Sequence, residues 1–429
     1  MKGKIVVIHC ISSSLNYIED IRNEGYEPVI VEITAPQEIR EYVRKALDVE
    51  YSYIKGEKPL IVQECSDYHQ TLRMVREMNP VLVIAGGDLG LELASKLSHD
   101  LGLPGHHVER LPYLRRKDKM HEALKDAGLR YIRGKVVSSV EEGIEYYENE
   151  LNGKSAIVKP LDGGGSVGVM ACHSRGAVAE ALRRDIADSG TALVQEMING
   201  TEYYVNTVTF NGRTVVTNVC RYDKVQVGDM RPVYVKAVSL SPADETLLPM
   251  IHYVIKALEA VGLEIGPAHT EVMLDEKGPV LIEVNARLAG GHQPSGWQDI
   301  VLGIHESEIA LRSYLGKNIF ESSSGVKAEI TLPNGIRCFP LKSNGLWHPV
   351  FISREIEAKD NPIVDIARNM ASYHSHKGLT APSHYDMTTD LSNSGGTIYM
   401  THPDATVLES DFADLLDLEL NHIEQLFTD

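Results

Sequence analysis

Cysteine is scarce in this chain and poorly placed for cross-linking. Cys10, Cys65, Cys172, Cys220 and Cys338 are the only five in 429 residues; they are scattered, odd in number and lack C-x-x-C spacing. That pattern argues against a disulfide framework or a structural zinc site and fits a reducing cytosol. Long apolar runs are missing too: none approaches the roughly 20 residues that span a bilayer. The opening Met-Lys-Gly-Lys-Ile-Val-Val-Ile reaches Ser12-Ser13-Ser14 too soon for a signal-peptide core. A soluble, cytoplasmic protein is therefore expected. Positive charge is also in deficit. A formal net charge of −18 argues against nucleic acid or an anionic membrane as the main partner. It leaves room for a nucleotide substrate, which needs only a local cluster of cations.

What is present is an ordinary globular composition, 43% hydrophobic and 24% charged. The length implies two to four domains. Up to about residue 110, short apolar strands over 5–9, 28–33 and 81–85 alternate with helical segments over 15–23, 68–78 and 89–101. This βαβ rhythm predicts a small parallel sheet. The loop after the first strand is Cys10-Ile-Ser-Ser-Ser-Leu rather than G-x-G-x-x-G, so dinucleotide binding is not supported. The basic run Arg115-Arg116-Lys117-Asp118-Lys119 follows. Asp118 is a candidate N-cap for a helix ended by Gly128. The run is either a solvated patch or a phosphate contact made by Lys119 at the helix N-terminus.

From residue 155 the pattern becomes strand, glycine-rich loop, strand. Ala156-Ile-Val-Lys-Pro precedes Leu-Asp-Gly-Gly-Gly-Ser-Val-Gly, and Val169-Met-Ala-Cys-His follows. Gly163, Gly165 and Gly168 spell G-x-G-x-x-G, but a dinucleotide fold needs a helix straight afterwards. A protein kinase needs its lysine on a later strand, whereas Lys159 comes first. A hairpin lid whose backbone N–H groups and Lys159 close over phosphates remains, beside a plain surface turn. Next, Leu193-Val-Gln-Glu-Met-Ile-Asn-Gly-Thr-Glu-Tyr brackets a Gly200 turn with Glu196 and Glu202. Such acids can hold ribose hydroxyls while hinge backbone reads adenine; alone, the motif also fits an ordinary hairpin.

Residues 269–287 read as another hairpin, turning on Asp275-Glu276-Lys277-Gly278. With Leu274 opposite Val280, Glu271 falls opposite Glu283. Alternation puts His269, Glu271, Glu283, Asn285 and Arg287 on one polar face. Val272, Leu274, Val280, Ile282 and Val284 then point into a core. Like charges directly opposite one another are destabilising. A cation between them is called for, and hard oxygens with an Asn carbonyl suit Mg²⁺.

Taken in order, these motifs resemble the ATP-grasp superfamily, and within it the carboxylate–amine ligases that join L-amino acids into dipeptides. The resemblance covers roughly residues 1–316. It implies an α/β and α+β multidomain protein. Residues 1–110 would form a Rossmann-like pre-ATP-grasp βαβ domain and 111–317 the ATP-grasp domain, with a lid at about 133–200. Residues 318–429 would form a small mixed α/β domain. By resemblance, Lys119 and Lys159 contact phosphates, and Gly164, Gly165 and Ser166 form the lid loop. Glu196 and Ile198 match the adenine hinge, and Glu202 the ribose-binding acid. Glu271, Glu283 and Asn285 match ligands for two Mg²⁺ ions, with Mn²⁺ as a substitute. Arg287 matches the arginine that holds the reacting carboxylate and the later oxyanion. The implied partners are ATP, amino acids and a second copy of the chain as a homodimer.

Other positions are open. His269 either touches substrate or makes a structural hydrogen bond. Gly291 and His292, in the loop after Arg287, are candidate substrate contacts. The 221–231 segment reads as a surface loop. His374 and His376 lack a third metal ligand at a telling spacing, apart from His384. Strand-like runs at 326–332 and 397–400 suggest the C-terminal sheet. Two rival functions stay in view. One keeps the fold but activates bicarbonate or uses a nucleotide-linked amine; the other is a non-catalytic ATP-binding regulator.

Overall fold

The computed structural model describes residues 2–35, 40–161, 168–226, 233–321 and 330–428. Four parallel strands form the N-terminal sheet: β1 (Lys4–Ile8), β2 (Glu27–Glu32), β3 (Leu60–Gln63) and β4 (Pro80–Ala85), in the order β3-β2-β1-β4. Its near-continuous apolar strands are explained by burial on both faces. Ile5, Val7, Ile30 and Ile84 pack on Tyr17, Ile18 and Ile21 of α1 (Asn16–Asn23). Val6, Val29 and Val83 pack on α3 (Tyr68–Glu77) and α4 (Leu91–Leu101). Between these lie α2 (Arg40–Ser52) and β3, which the sequence pattern leaves out. The short edge strand β3 shows no clean alternation: Leu60 is 51% exposed and Ile61 37%.

After α5 (Leu111–Arg115) and α6 (Lys117–Asp126), β5 (Gly134–Val137), α7 (Val140–Asn149), β6 (Ala156–Lys159), β7 (Met170–Cys172), α8 (Arg175–Ser189) and β8 (Ala192–Glu196) build a second, antiparallel sheet. Ala156, Val158, Cys172, Ala192 and Val194 face α7 and α8. The opposite face presents Ile157, Lys159, Leu193 and Gln195, as the pairings Ile157↔Gln195 and Lys159↔Leu193 require.

The central sheet has ten strands among the described residues. It takes in β9 (Thr201–Phe210), β10 (Arg213–Val225), β11 (Val233–Leu240), β12 (Gly266–Asp275) and β13 (Gly278–Asn285). One face is covered by α9 (Leu248–Val261) together with α6, over Val205, Val272, Leu281 and Val284. The other is covered by α10 (Ser295–Leu302) and α11 (Glu306–Tyr314), over Tyr204, Val208 and Val215. Later, β14 (Ile330–Thr331) and β15 (Arg337–Cys338) join beside β10. The strands β16 (Asn344–Pro349), β18 (Tyr373–Gly378) and β20 (Gly396–His402) extend the same sheet from β11, in the order β11-β16-β20-β18. A small pair, β17 (Ile356–Ala358) with β19 (Ser383–Tyr385), stands apart. α12 (Pro362–Arg368) and α13 (Ala405–Asn421) close that end, the second anchored by Glu419, which accepts from buried His348 at 2.6 Å.

Two sequence expectations change here. Residues 221–225 belong to β10 rather than to a loop, and 227–231 lie outside the described residues. Arg221 and Asp223 disguise the strand: both stand on its exposed side and bond each other at 2.7 Å, while Tyr222 between them is buried. The helix expected from Asp118 begins at Lys117 with Arg116 as its N-cap, because the Asp118 carboxylate is occupied by the Arg116 guanidinium at 3.1 and 2.8 Å. In the 326–332 run, 326–329 lie outside the described residues.

The N-terminal sheet is tied to the central one by an ionic bridge. His305 Nε2 meets Asp20 of α1 at 2.8 Å and His305 Nδ1 meets Asp299 at 2.8 Å. Burial works against a charged ring, but the two carboxylates outweigh it and push the His305 pKa up to about 10. Its unfolded value lies near about 6.5. The stabilisation is thus complete below that value and lost as pH rises toward about 10. Urea unfolding from pH 6 to 10 should show this decline, and His305→Gln should flatten it; an unchanged slope would contradict the bridge.

Candidate functional site

The site is built on the polar face of β12 and β13. Glu271 and Glu283 are paired directly, as expected, but by a different route. The turn begins one residue off, with Leu274 opposite Pro279 and Met273 opposite Val280. A β-bulge between Glu271 and Val272, where Ile282 is the extra residue, restores the register. Leu281 therefore joins Val272 and Val284 in the core, while Ile282 is only half-buried. Two errors in the simple count, turn and bulge, cancel at the glutamates.

The structure handles this like-charge pair with cations. Lys117 Nζ lies 2.8 Å from Glu283 Oε2, both side chains nearly buried. Asn285 Nδ2 donates to Glu283 Oε1 at 3.1 Å. Burial alone would raise the Glu283 pKa; the charge and hydrogen bond of Lys117 reverse that and hold it low. Glu271 goes the other way, raised by burial and by the charge of Glu283. Lys159, on β6 of the lid, is pushed down to about 8 by burial and by Lys117.

Lys117 was not among the sequence candidates, and Lys119 does not reach the site. Two residues along a helix is about 200°, so one lysine must point away from the other. Lys119 bonds Glu122 on the surface at 2.5 Å. Lys117 shares the inner face with Met120 and Leu124, which pack beneath β13; Met120 Sδ lies 3.5 Å from the Val284 amide. The i, i+3, i+7 spacing of Lys117, Met120 and Leu124 is a signal that was present in the sequence.

His269 is buried, with Nδ1 2.8 Å from Asn206 Oδ1 and Nε2 3.4 Å from Glu271 Oε1. Asn206 Nδ2 donates to Glu306 at 3.2 Å, and Thr217 Oγ1 donates to the same carboxyl at 2.7 Å. Burial raises the Glu306 pKa to about 8 and lowers that of His269 to about 3. With its one proton on Nδ1 toward Asn206, neutral His269 turns a bare Nε2 toward Glu271, beside a buried polar chain that ends at the start of α11. Arg287 donates from Nε and from one terminal nitrogen to Asp88 Oδ2 at 2.9 and 2.6 Å, and to the Leu288 carbonyl at 2.9 Å. Asp88, on the loop after β4, is a second residue the motifs did not show.

The hinge motif is not a hairpin: β8 and β9 lie in different sheets. Gly200 is required there, because a Cβ would come 2.3 Å from the Leu274 carbonyl oxygen. Alternation turns the Glu196 side chain to the helical side of the lid, where Arg133 holds it at 3.2 and 3.0 Å. Its carboxylate therefore stands away from the Lys159 face. A cavity of about 550 Å³ lies on that outer side, lined by Arg130, Arg133, Leu151, Glu196, Ile198 and Asp275. Glu202 accepts from Tyr234 Oη at 2.8 Å and pairs with Lys224. Burial raises its pKa despite Lys224. Gly164, Gly165 and Ser166 lie outside the described residues.

The loop after Arg287 is clamped from two directions. His292 donates from its backbone amide to Ser12 Oγ at 2.7 Å and from Nδ1 to the Ser12 carbonyl at 2.9 Å. Tyr399 Oη donates to the Gly291 carbonyl at 2.6 Å. His292 thus stands where the N-terminal sheet, this loop and the C-terminal strands meet. His374 and His376 sit on β18 and His384 on β19, in different sheets.

Residues 153–295 match the ATP-grasp domain family. The chain is 27% identical over 220 residues to dapdiamide A synthase of Enterobacter agglomerans, covering 49% of this chain and 51% of that one. It is 26% identical over 305 residues to the carbamoyl phosphate synthase large chain of Thermus thermophilus, covering 65% of this chain and 27% of that one. The chain thus spans about half or less of these two curated relatives. Among solved structures, an L-amino acid ligase from Bacillus licheniformis superposes with a TM-score of 0.75 at 18% identity, over 97% of both chains. N5-carboxyaminoimidazole synthetase from Staphylococcus aureus, complexed with ADP, gives 0.66 at 13% identity over 98% of both. The fold is the ATP-grasp fold.

If Lys117 rather than Lys119 faces the nucleotide, Lys117→Ala should weaken ADP binding by about tenfold or more, the loss of a charge-assisted contact. Lys119→Ala should stay within about twofold of the parent, a surface pair contributing little. Calorimetric titration of both variants checks the order, and a reversed order would restore Lys119.

Proposed function

We propose that this chain, which carries an ATP-grasp domain at residues 153–295, is an ATP- and Mg²⁺-dependent carboxylate–amine ligase. It joins the carboxylate of one amino acid to the amine of a second and releases ADP and phosphate. The observation that carries this reading is Arg287 standing beside the facing glutamates and the two inward lysines. Binding a nucleotide gives no work to Arg287, whereas activating a carboxylate does.

The donor set fits a hard divalent ion: two opposed carboxylates and an amide oxygen, at a place that already demands positive charge. Glu271, Glu283 and Asn285 would hold two Mg²⁺ ions, with Mn²⁺ as a substitute, and the metal when bound neutralises charge on the transferring phosphoryl group. Lys117 and Lys159 bring fixed charge to the phosphates in a site with little water to screen it.

A carboxylate is a poor electrophile, so its oxygen first attacks the γ-phosphorus of ATP. The bond to the bridging oxygen breaks, ADP leaves, and an acyl phosphate forms. The amine nitrogen then attacks the carbonyl carbon, and negative charge gathers on the carbonyl oxygen. Phosphate departs and the surplus ammonium proton passes to solvent. Arg287 is equipped for both steps. Asp88 and Leu288 take three N–H groups, which leaves two of the five guanidinium donors for substrate. The closed lid keeps water from the acyl phosphate. A cytoplasmic homodimer is the setting proposed for this chemistry.

ADP release should require pairs of amino acids and proceed without bicarbonate, with mass spectrometry identifying the amide. Release driven by bicarbonate alone would favour a carboxylase-type reaction instead. Glu283→Ala should abolish turnover, and undiminished ADP formation would contradict the metal assignment. Arg287→Ala should retain nucleotide affinity within about threefold while ligation falls by about 100-fold or more, as for loss of an oxyanion donor. Normal ligation at saturating ATP in that variant would remove Arg287 from the chemistry.

A further inference from the structure

His121 is buried on α6, 5% exposed, and neither ring nitrogen has a hydrogen-bond partner among the described residues. Burying a polar ring without partners costs free energy, so such a residue in a folded core needs a reason. Its position supplies one. His121 is four residues beyond Lys117, one turn further along the same inner face. Its neighbours Met120 and Leu124 are committed to the core beneath β13. His121 instead lies within the fields of Lys159 on β6 and of Asp118 and Lys117 on its own helix. Burial first, and Lys159 second, push its pKa down to about 3, so the ring is neutral and carries one N–H.

A neutral donor between two lysines is matched to an anionic oxygen. We infer that His121 donates a hydrogen bond to a phosphate oxygen of the bound nucleotide, as a third phosphate contact beside Lys117 and Lys159. This rests on the nucleotide reading of the cleft given above. The unsatisfied imidazole is then a feature of the nucleotide-free protein that binding repairs. Its effect should fall on nucleotide affinity and on the choice between phosphorylated and unphosphorylated ligands.

The test compares the full-length parent with His121→Phe, which keeps a ring and removes both nitrogens. Without nucleotide, the thermal midpoint of His121→Phe should equal or exceed that of the parent, because an unpaired polar group has been removed. Its Kd for ADP with Mg²⁺ should rise by roughly tenfold, the usual scale for a hydrogen bond to a charged group, while its Kd for adenosine stays unchanged. His121→Gln, which retains an N–H donor, should recover part of the ADP affinity, and His121→Leu, expected to lose as much as phenylalanine, covers the case in which the phenylalanine variant does not fold. An ADP affinity equal to the parent's in whichever apolar variant folds, or no gain for glutamine over it, overturns the inference. An equal loss for adenosine and ADP overturns the phosphate assignment. Failure of the parent itself to bind ADP would be a failure of the nucleotide reading, visible before any variant is made.

Discussion

Two carboxylates that repel one another across a pair of strands are the constraint around which this molecule is arranged. Glu271 and Glu283 could not be kept opposite in a buried place without compensation, and the compensation comes from every side. Lys117 reaches Glu283 from α6, Lys159 adds its field from the lid, and Asn285 bonds Glu283 from the same strand. Each of these partners belongs to a different part of the chain. Drawing α6, the lid and the central sheet together is therefore the same physical act as neutralising the pair.

The arrangement also divides the labour of binding. On the proposed function, phosphate and metal contacts would come from β6, α6, β12 and β13, which are packed on apolar cores. The candidate substrate groups Arg287 and His292 stand on the segment after β13, held by Asp88 after β4 and Ser12 after β1. Those loops are tied across long distances in sequence, as Ser12 with His292 and Tyr399 with Gly291 show. On that proposal, the packed half would perform the phosphoryl transfer and the looped half would select what receives it. Substrate preference can thus vary without disturbing the first step.

Much of this was legible in the residues. The apolar strands of the N-terminal sheet, the pairing of β6 with β7 and the opposition of the two glutamates follow from alternation and turn chemistry. What was not legible has physical causes. Lys117 and Lys119 differ only in which way a helix face points, and that depends on where the helix starts; Arg116 took Asp118 away from the capping role. Asp88 lies about 200 residues from its partner Arg287, beyond any local pattern. Strand alternation turns the Glu196 carboxylate to Arg133, a partner 63 residues away that no local pattern shows. Residues 221–225 hid a strand because two charges, bonded to each other, outweighed one tyrosine in the pattern.

The extra residue Ile282 sets a rule for how the length of this hairpin can change during evolution. Residues added within the Glu276-Lys277 turn leave every pairing intact, since the strands still meet at the same partners. Removing Ile282 would keep them too, because the ladder would then run straight from Val272↔Leu281 to Glu271↔Glu283. Removing Leu281 as well is different: it would set Glu283 opposite Val272 and turn the carboxylate toward the side chains under α9. Kindred chains should therefore show a variable turn, and between the residue opposite Met273 and the second acid either one residue or two, never none.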